Sequence, residues 1–169
     1  MYTTAIPANE PQRLAHLQNL NILDTPSEEK FDRITRMLCR VLDMPMAGIS
    51  LVDENRQWFK SIRGLDIKET PRCISFCTHT ILEERTLIVP DAASDPRFLK
   101  NPLVIDSPHI RFYAAHPLKI IDNIYVGALC VYDVKPRDLL PDDILFLEDL
   151  AITVANELKA HMIKNFFQT

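Results

Sequence analysis

The stretch Cys73-Ile74-Ser75-Phe76-Cys77-Thr78-His79 places two thiols and an imidazole within seven residues. Sulfur and nitrogen donors of this kind bind zinc, and His116 is available as a fourth ligand. The C-x3-C spacing is not that of the usual short knuckle, and the chain has one such pair. The same residues suit a redox thiol pair, with Cys77 near a helix start, where a thiolate is stabilised, and Cys73 resolving. The plainer reading makes Cys77 a buried small hydrophobe and Cys73 an incidental loop thiol.

His79, His109 and His116 could line a cavity that binds an anion or senses pH. Arg72, Arg97 and Arg111 can give charge-assisted hydrogen bonds to a carboxylate or phosphate. They can equally pair with Asp91, Asp95 or another local acid and fix the loop around them. The Asp95-Pro96-Arg97-Phe98 context favours that second role for Arg97. Trp58, Phe76, Phe98, Phe112 and Tyr113 can form an aromatic-lined pocket, although alternating strand positions must face a core in any case. Ser75, Thr78 and Tyr113 can orient a ligand, and Ser75 is as well suited to capping a helix. Asp142-Asp143 fits the first turn of a helix, where negative charge complements the dipole. No Ser-His-Asp order or paired carboxylate at a strand end stands out.

The elements that carry these residues belong to a chain of 169 residues, 47% hydrophobic and 25% charged. That is one ordinary domain, or one domain with helical extensions. Mean hydropathy is −0.05, and no apolar run approaches the roughly 20 residues of a membrane helix. The start, MYTTAIPANEPQR, lacks the basic and apolar regions of a signal peptide, so the expectation is a cytoplasmic protein without a membrane partner. A net charge of −4 argues against nucleic acid as the main partner. Cys39, Cys73, Cys77 and Cys130 are too few and too scattered for a secreted disulfide framework. Only Gly48, Gly64 and Gly127 occur, which excludes GxGxxG and GxxxxGK phosphate loops and the enzymes built on them.

Leu14, Leu17 and Leu20 recur as one face of a short helix. Thr25, Pro26 and Glu28 predict a capping box for the next helix, carrying Phe31, Ile34, Leu38 and Val41 and ending before Pro45. Residues 46–52 and 57–63 read as a hairpin around Asp53-Glu54-Asn55-Arg56, ended by Gly64. Leu65 to Arg72 reads as a polar loop. A short helix from Ser75, a strand at Leu87-Ile88-Val89 and an irregular stretch from Asp91 to Pro108 follow. A connection that long is more often functional than idle. Arg111 to Leu118 and Asn123 to Asp133 form a second hairpin. Ile144, Leu147, Ala151, Val154 and Leu158 mark a final helix that can run to Phe166, about 40 Å at about 1.5 Å per residue. Ile163, Phe166 and Phe167 extend its apolar character, as for a helix that packs on another. Hairpin strands with helices at both chain ends predict an α+β fold, an antiparallel sheet with helices over one face and a large irregular loop over the other.

Order and motifs together resemble a GAF domain, and more narrowly the bacterial GAF domains found with diguanylate cyclases or histidine kinases. The matching residues are Leu23-Asp24-Thr25-Pro26, Phe31-Asp32-Arg33-Ile34-Thr35, Ile49-Ser50-Leu51-Val52-Asp53 and Gln57-Trp58-Phe59-Lys60-Ser61. They continue through Ser75-Phe76-Cys77, Val89-Pro90-Asp91, Asp95-Pro96-Arg97-Phe98, Asn101-Pro102-Leu103-Val104, Arg111-Phe112-Tyr113-Ala114 and Gly127-Ala128-Leu129-Cys130-Val131. The likeness covers residues 9–160 of what reads as a single domain over 1–169, with a C-terminal helix extension at 141–167.

The resemblance implies a central antiparallel sheet with terminal helices behind it and a ligand cavity enclosed by residues 70–116 in front. It implies a sensory, non-enzymatic module of signal transduction that binds a small molecule, whose identity and any cofactor the sequence leaves unnamed. It further implies a homodimer through the terminal helices and a fused or partner output domain, a diguanylate cyclase or histidine kinase. No output domain is recognisable in these residues, so the chain reads as a standalone protein or a fragment. Arg72, Cys77, His79, Arg111, Tyr113 and His116 are the expected cavity wall, with no catalytic or metal-binding residue assigned. Two alternatives stand beside this reading. One is a thiol enzyme like the free-methionine sulfoxide reductases, which share the fold. The other is a degenerate module that only dimerises, through a face bearing Leu158 and Phe166. Cys73 stands where the family usually has an acidic residue, and Ala115 and His116 where it has small ones. The asparagine-lysine-phenylalanine motif of cyclic-GMP-binding members is missing, and so is the adjacent Cys-His pair that holds bilin in phytochromes.

Overall fold

The computed structural model describes residues 5–168; the side chains of 163–166 and 168, and with them the expected apolar positions Ile163 and Phe166, lie outside the described residues. The first helix, α1 (Glu10–Asn19), buries Leu17 and, just past its end, Leu20, as their spacing requires. The second, α2 (Glu29–Val41), buries Phe31, Ile34 and Leu38 but leaves Val41 exposed.

The expected capping box does not form. Thr25 Oγ1 donates to the Ile22 carbonyl, and α2 starts only at Glu29, with no side-chain cap. Lys60 is the reason. Its buried ammonium donates to Thr25 Oγ1 at 2.9 Å and to the Pro26 carbonyl at 2.6 Å, and pairs with Glu28 at 2.8 Å. A buried charge must be paired, so these residues serve the lysine instead of the helix.

The hairpin β1 (Met46–Val52) and β2 (Arg56–Arg63) forms where the sequence places it. Gly64 ends it at φ +85°, where an added Cβ would lie 2.0 Å from the Pro45 carbonyl oxygen. The predicted polar loop after it holds a short extra strand, β3 (Glu69–Pro71), paired with β2. Three residues are too few to show a period, so only the partner strand reveals it. Next come α3 (Cys77–Thr80), β4 (Leu87–Val89), α4 (Pro102–Ile105), β5 (Phe112–Ile121) and β6 (Ile124–Asp133). The final helix, α5 (Pro141–Gln168), has 28 residues. The strands form one antiparallel sheet in the order β3-β2-β1-β6-β5-β4.

Both faces of that sheet are covered. Ile49, Leu51, Trp58, Phe112, Ala114, Leu129 and Val131 pack under α1, α2 and α5. The alternate residues Val52, Phe59, Tyr113, Ala115, Ala128, Cys130 and Tyr132 pack under α3, α4 and the chain between them. On α5, Leu147, Ala151, Val154 and Leu158 are buried in the first of these cores. Leu158 is therefore not part of a free pairing face, because its side of the helix covers the sheet.

One ion cluster ties α1 to the front layer. Glu10 accepts from Arg13 Nε at 2.8 Å and from Arg72 Nη1 at 2.5 Å, and Arg72 also donates to the Asp53 carbonyl at 3.1 Å. Burial opposes charge on Glu10, but the hydrogen bonds and charges of Arg13 and Arg72 outweigh it and lower its pKa from 4.5 to about 2. A carboxylate depressed in the folded state stabilises at pH above its unfolded pKa and stops doing so as pH falls through the folded value. Glu10→Gln should therefore lose at most about 3 kcal/mol in urea unfolding at pH 7. The gap to wild type should close as pH drops from 4.5 towards about 2. Equal stability at pH 7 would show that the cluster contributes nothing.

Candidate functional site

The face of the sheet under α3 and α4 carries the chemistry. Parity along β5 and β6 turns Tyr113, Cys130 and Tyr132 towards α3, which presents Cys77. Tyr113 Oη donates to Cys77 Sγ at 3.1 Å and lies 2.7 Å from Thr80 Oγ1. Cys130 Sγ donates to the Gly48 carbonyl and lies 3.5 Å from Tyr132 Oη. Burial, together with the neighbouring acids, pushes Tyr113, Tyr132 and Cys130 well above their ordinary pKa values. Burial opposes a Cys77 thiolate too, but hydrogen bonds from Cys130, Ser50, Tyr113 and Tyr132 outweigh it and hold that thiol below its ordinary value. Phe76 stacks on Phe98 at 4.4 Å and leans against Tyr113 at 5.1 Å, so rings fill much of this half of the layer.

Of the six residues expected to form a cavity wall, the structure brings Cys77 and Tyr113 into contact. Arg72 is held at Glu10. Arg111 donates to the Val104 and Ile110 carbonyls at 2.9 and 3.0 Å, closing the loop that contains α4. His79 sits edge-on to Phe98 at 4.7 Å; burial and the nearby Arg97 lower its pKa. His116 lies on the other face of the sheet, bonded to Thr86 beside Glu148 of α5, and burial lowers its pKa. It shares the parity of Phe112 and Ala114, four and two residues before it. A zinc site made of Cys73, Cys77, His79 and His116 is thus not assembled. Among the described residues, no three His, Cys, Asp or Glu side chains gather to hold a metal ion. Arg97 pairs with Asp95 at 2.7 Å.

A cavity of about 120 Å³ opens beside the aromatic stack, between β2, β3 and the chain around α4. Phe59, Leu65, Ile67, Phe76, Leu103, Pro108, Ile110 and Tyr132 line it, with Gln57, Thr70 and Ser107 as further neighbours. None of the six expected residues lines it. Its polar end is ordered by the fold. Ser75 Oγ donates to Gln57 Oε1 at 2.6 Å and accepts from the Thr78 N–H, while Gln57 Nε2 donates to Thr70 Oγ1 at 3.3 Å. Asn101 caps α4 through Leu103 and donates to the Ile74 carbonyl at 2.9 Å, pinning one side of the roof. The Asn101-Pro102 helix start was a signal that the sequence did contain, whereas the burial of Gln57 shows only in the fold. Thr70 gave none, because β3 itself is invisible until β2 recruits it.

An antiparallel sheet between terminal helices and a short-element roof over a small cavity has an exact counterpart in sequence: residues 26–158 match the GAF domain model. The chain belongs to the GAF domain family. As a GAF domain it is 41% identical, over 152 residues, to a cyclic di-GMP phosphodiesterase of Pseudomonas aeruginosa. That alignment covers 89% of this chain and 26% of the relative, so the chain spans about a quarter of the protein it matches. The GAF domain of a phosphoenolpyruvate-protein phosphotransferase from Coxiella burnetii superposes with a TM-score of 0.69 at 16% identity, covering 93% of this chain and 96% of that one. The free methionine-R-sulfoxide reductase of Neisseria meningitidis gives 0.64 at 17% identity, with 98% and 99% covered. At such identities these likenesses show the fold alone.

The cysteines of this GAF domain differ in accessibility: Cys73 is exposed, Cys39 half-buried, and Cys77 and Cys130 fully buried. A thiolate needs access as well as stabilisation to react. In the folded protein, dithionitrobenzoate should label Cys73 first and Cys39 slowly, with Cys77 and Cys130 unlabelled until denaturant is added. Mass-mapped labelling of Cys77 under native conditions would show that α3 opens readily.

Proposed function

We propose that this GAF domain is a cytoplasmic regulatory module of bacterial-type signal transduction, without catalytic activity of its own. It takes a small molecule into the cavity at Gln57 and Thr70 and passes the event through its terminal helices to an output domain. The observation that carries this reading is the cavity itself: mainly apolar, with oriented polar groups at one end, which is how small-molecule sites are built. The sheet is a single layer between that cavity and the helices, so a shift of β2 or β6 is felt by α1, α2 and α5. Leu145 and Ile152 stand exposed two turns apart on α5, an unpartnered apolar pair suited to a homodimer contact. The relative from Pseudomonas aeruginosa, a cyclic di-GMP phosphodiesterase, supports an output concerned with cyclic di-GMP turnover. A diguanylate cyclase or histidine kinase output is compatible with the same cavity and helices.

The reading is tested by a metabolite panel in thermal unfolding, run on wild type and on Ile110→Trp, which fills the cavity. At least one compound should raise the wild-type Tm by several degrees and leave the variant unmoved. Sedimentation should show a dimer that Ile152→Asp dissociates without lowering the Tm. Compounds that stabilise both proteins equally would place any binding elsewhere.

A further inference from the structure

The cavity's lining also specifies the chemistry of what fits inside, which deepens the reading just given and rests on it. No Lys, Arg, His, Asp or Glu lines it. The three arginines that the sequence suggests for an anion do not line it: Arg72 bonds to Glu10, with its Nη2 left without a partner among the described residues, Arg111 to two backbone carbonyls, and Arg97 to Asp95. A carboxylate or phosphate moved into such a space loses its hydration and gains no counter-charge, and so is strongly disfavoured. Size narrows the class further. Pockets for drug-sized ligands run to about 300 Å³ or more, whereas an apolar cavity of about 150 Å³ holds a benzene ring. At about 120 Å³, this one has room for a single ring or a short branched chain and not for a nucleotide.

The polar end sets the last requirement. Gln57 Oε1 accepts from Ser75, and one of the two Nε2 hydrogens goes to Thr70. The second amide hydrogen remains to be donated, as does the Thr70 hydroxyl proton, since Thr70 Oγ1 accepts in its bond with Gln57. Gln57 and Thr70 both line the cavity. We propose that the cavity takes an uncharged, largely apolar molecule of one ring or a short branched chain, with a single hydroxyl or carbonyl oxygen held by Gln57 and Thr70.

Phenol, neutral at pH 7, is the direct probe; benzoate keeps the ring and adds charge, toluene removes the oxygen, and cyclic di-GMP tests the large anions. Each is titrated into the 169-residue chain and followed by backbone amide NMR shifts and by Tm. Phenol should bind saturably, shift the amides of Phe59, Thr70 and Ile110, and raise the Tm, with benzoate and cyclic di-GMP silent at those amides. Gln57→Leu and, as a gentler change, Thr70→Val should each weaken phenol about three- to tenfold, the worth of one neutral hydrogen bond, and leave toluene unchanged. Benzoate or cyclic di-GMP binding more tightly than phenol at the same amides would overturn the ligand class and keep the cavity as the site. If no probe shifts those amides, and the panel compounds stabilise wild type and Ile110→Trp alike, the cavity reading falls as well.

Discussion

Both faces of the central sheet are apolar, and the rest of the fold follows from the need to cover each of them. On β5, Phe112 and Ala114 look towards the helices while Tyr113 and Ala115 look the other way; on β6, Leu129 and Val131 oppose Cys130 and Tyr132. Burying apolar area is the main stabilising term available to a domain of this size. Two covers are therefore needed, and they differ in kind. The helical cover, α1, α2 and α5, presents long apolar stripes that pack closely on the sheet. The other is assembled from α3, α4, two 3-10 turns and irregular chain, which cannot interdigitate so evenly. The apolar cavity lies in that second cover, whereas a wider polar cleft of about 500 Å³ lies at the edge of the first, between α2 and β2.

An irregular cover must also satisfy its own backbone and buried charges. Much of the side-chain polarity in residues 53–111 is used for this. Asn101 holds the Ile74 carbonyl and caps α4, Arg111 closes the loop around Val104, and Arg72 bridges Glu10 and the Asp53 carbonyl. Residues whose types suggest ligand recognition are thereby fixed as architecture. What is left facing the cavity is neutral: an amide, hydroxyls and hydrocarbon. The same logic draws Thr25, Pro26 and Glu28 to Lys60 and shifts the start of α2.

The thiol and phenol cluster under α3 follows from one-sided packing of small and aromatic residues. Cys77 and Cys130 fit where the rings of Tyr113 and Tyr132 leave narrow gaps, and the sulfur and oxygen atoms then satisfy one another. The resulting environment tunes acidity strongly in both directions, yet none of these groups reaches solvent. Groups enclosed in this way form part of a packed interior.

Strand parity, helical stripes and the proline-punctuated stretch were sufficient to set the order of the longer elements, the antiparallel sheet and the two unequal covers, because each depends on residues close together in the chain; they did not set β3 or α4. The placement of His116 behind the sheet was legible in the same way, by counting in twos from Phe112 and Ala114. What tertiary structure alone decided was the polar pairing. Gln57, Thr70 and Ser75 meet because β2 recruits β3 and the turn at 72–74 folds back across it. Lys60 meets Thr25 across 35 residues, and Glu10 meets Arg72 across 62. Partners so far apart leave no local period, since hydrogen bonds and ion pairs are selected by proximity in the folded chain. For that reason the lining of the cavity could be read only from the assembled fold.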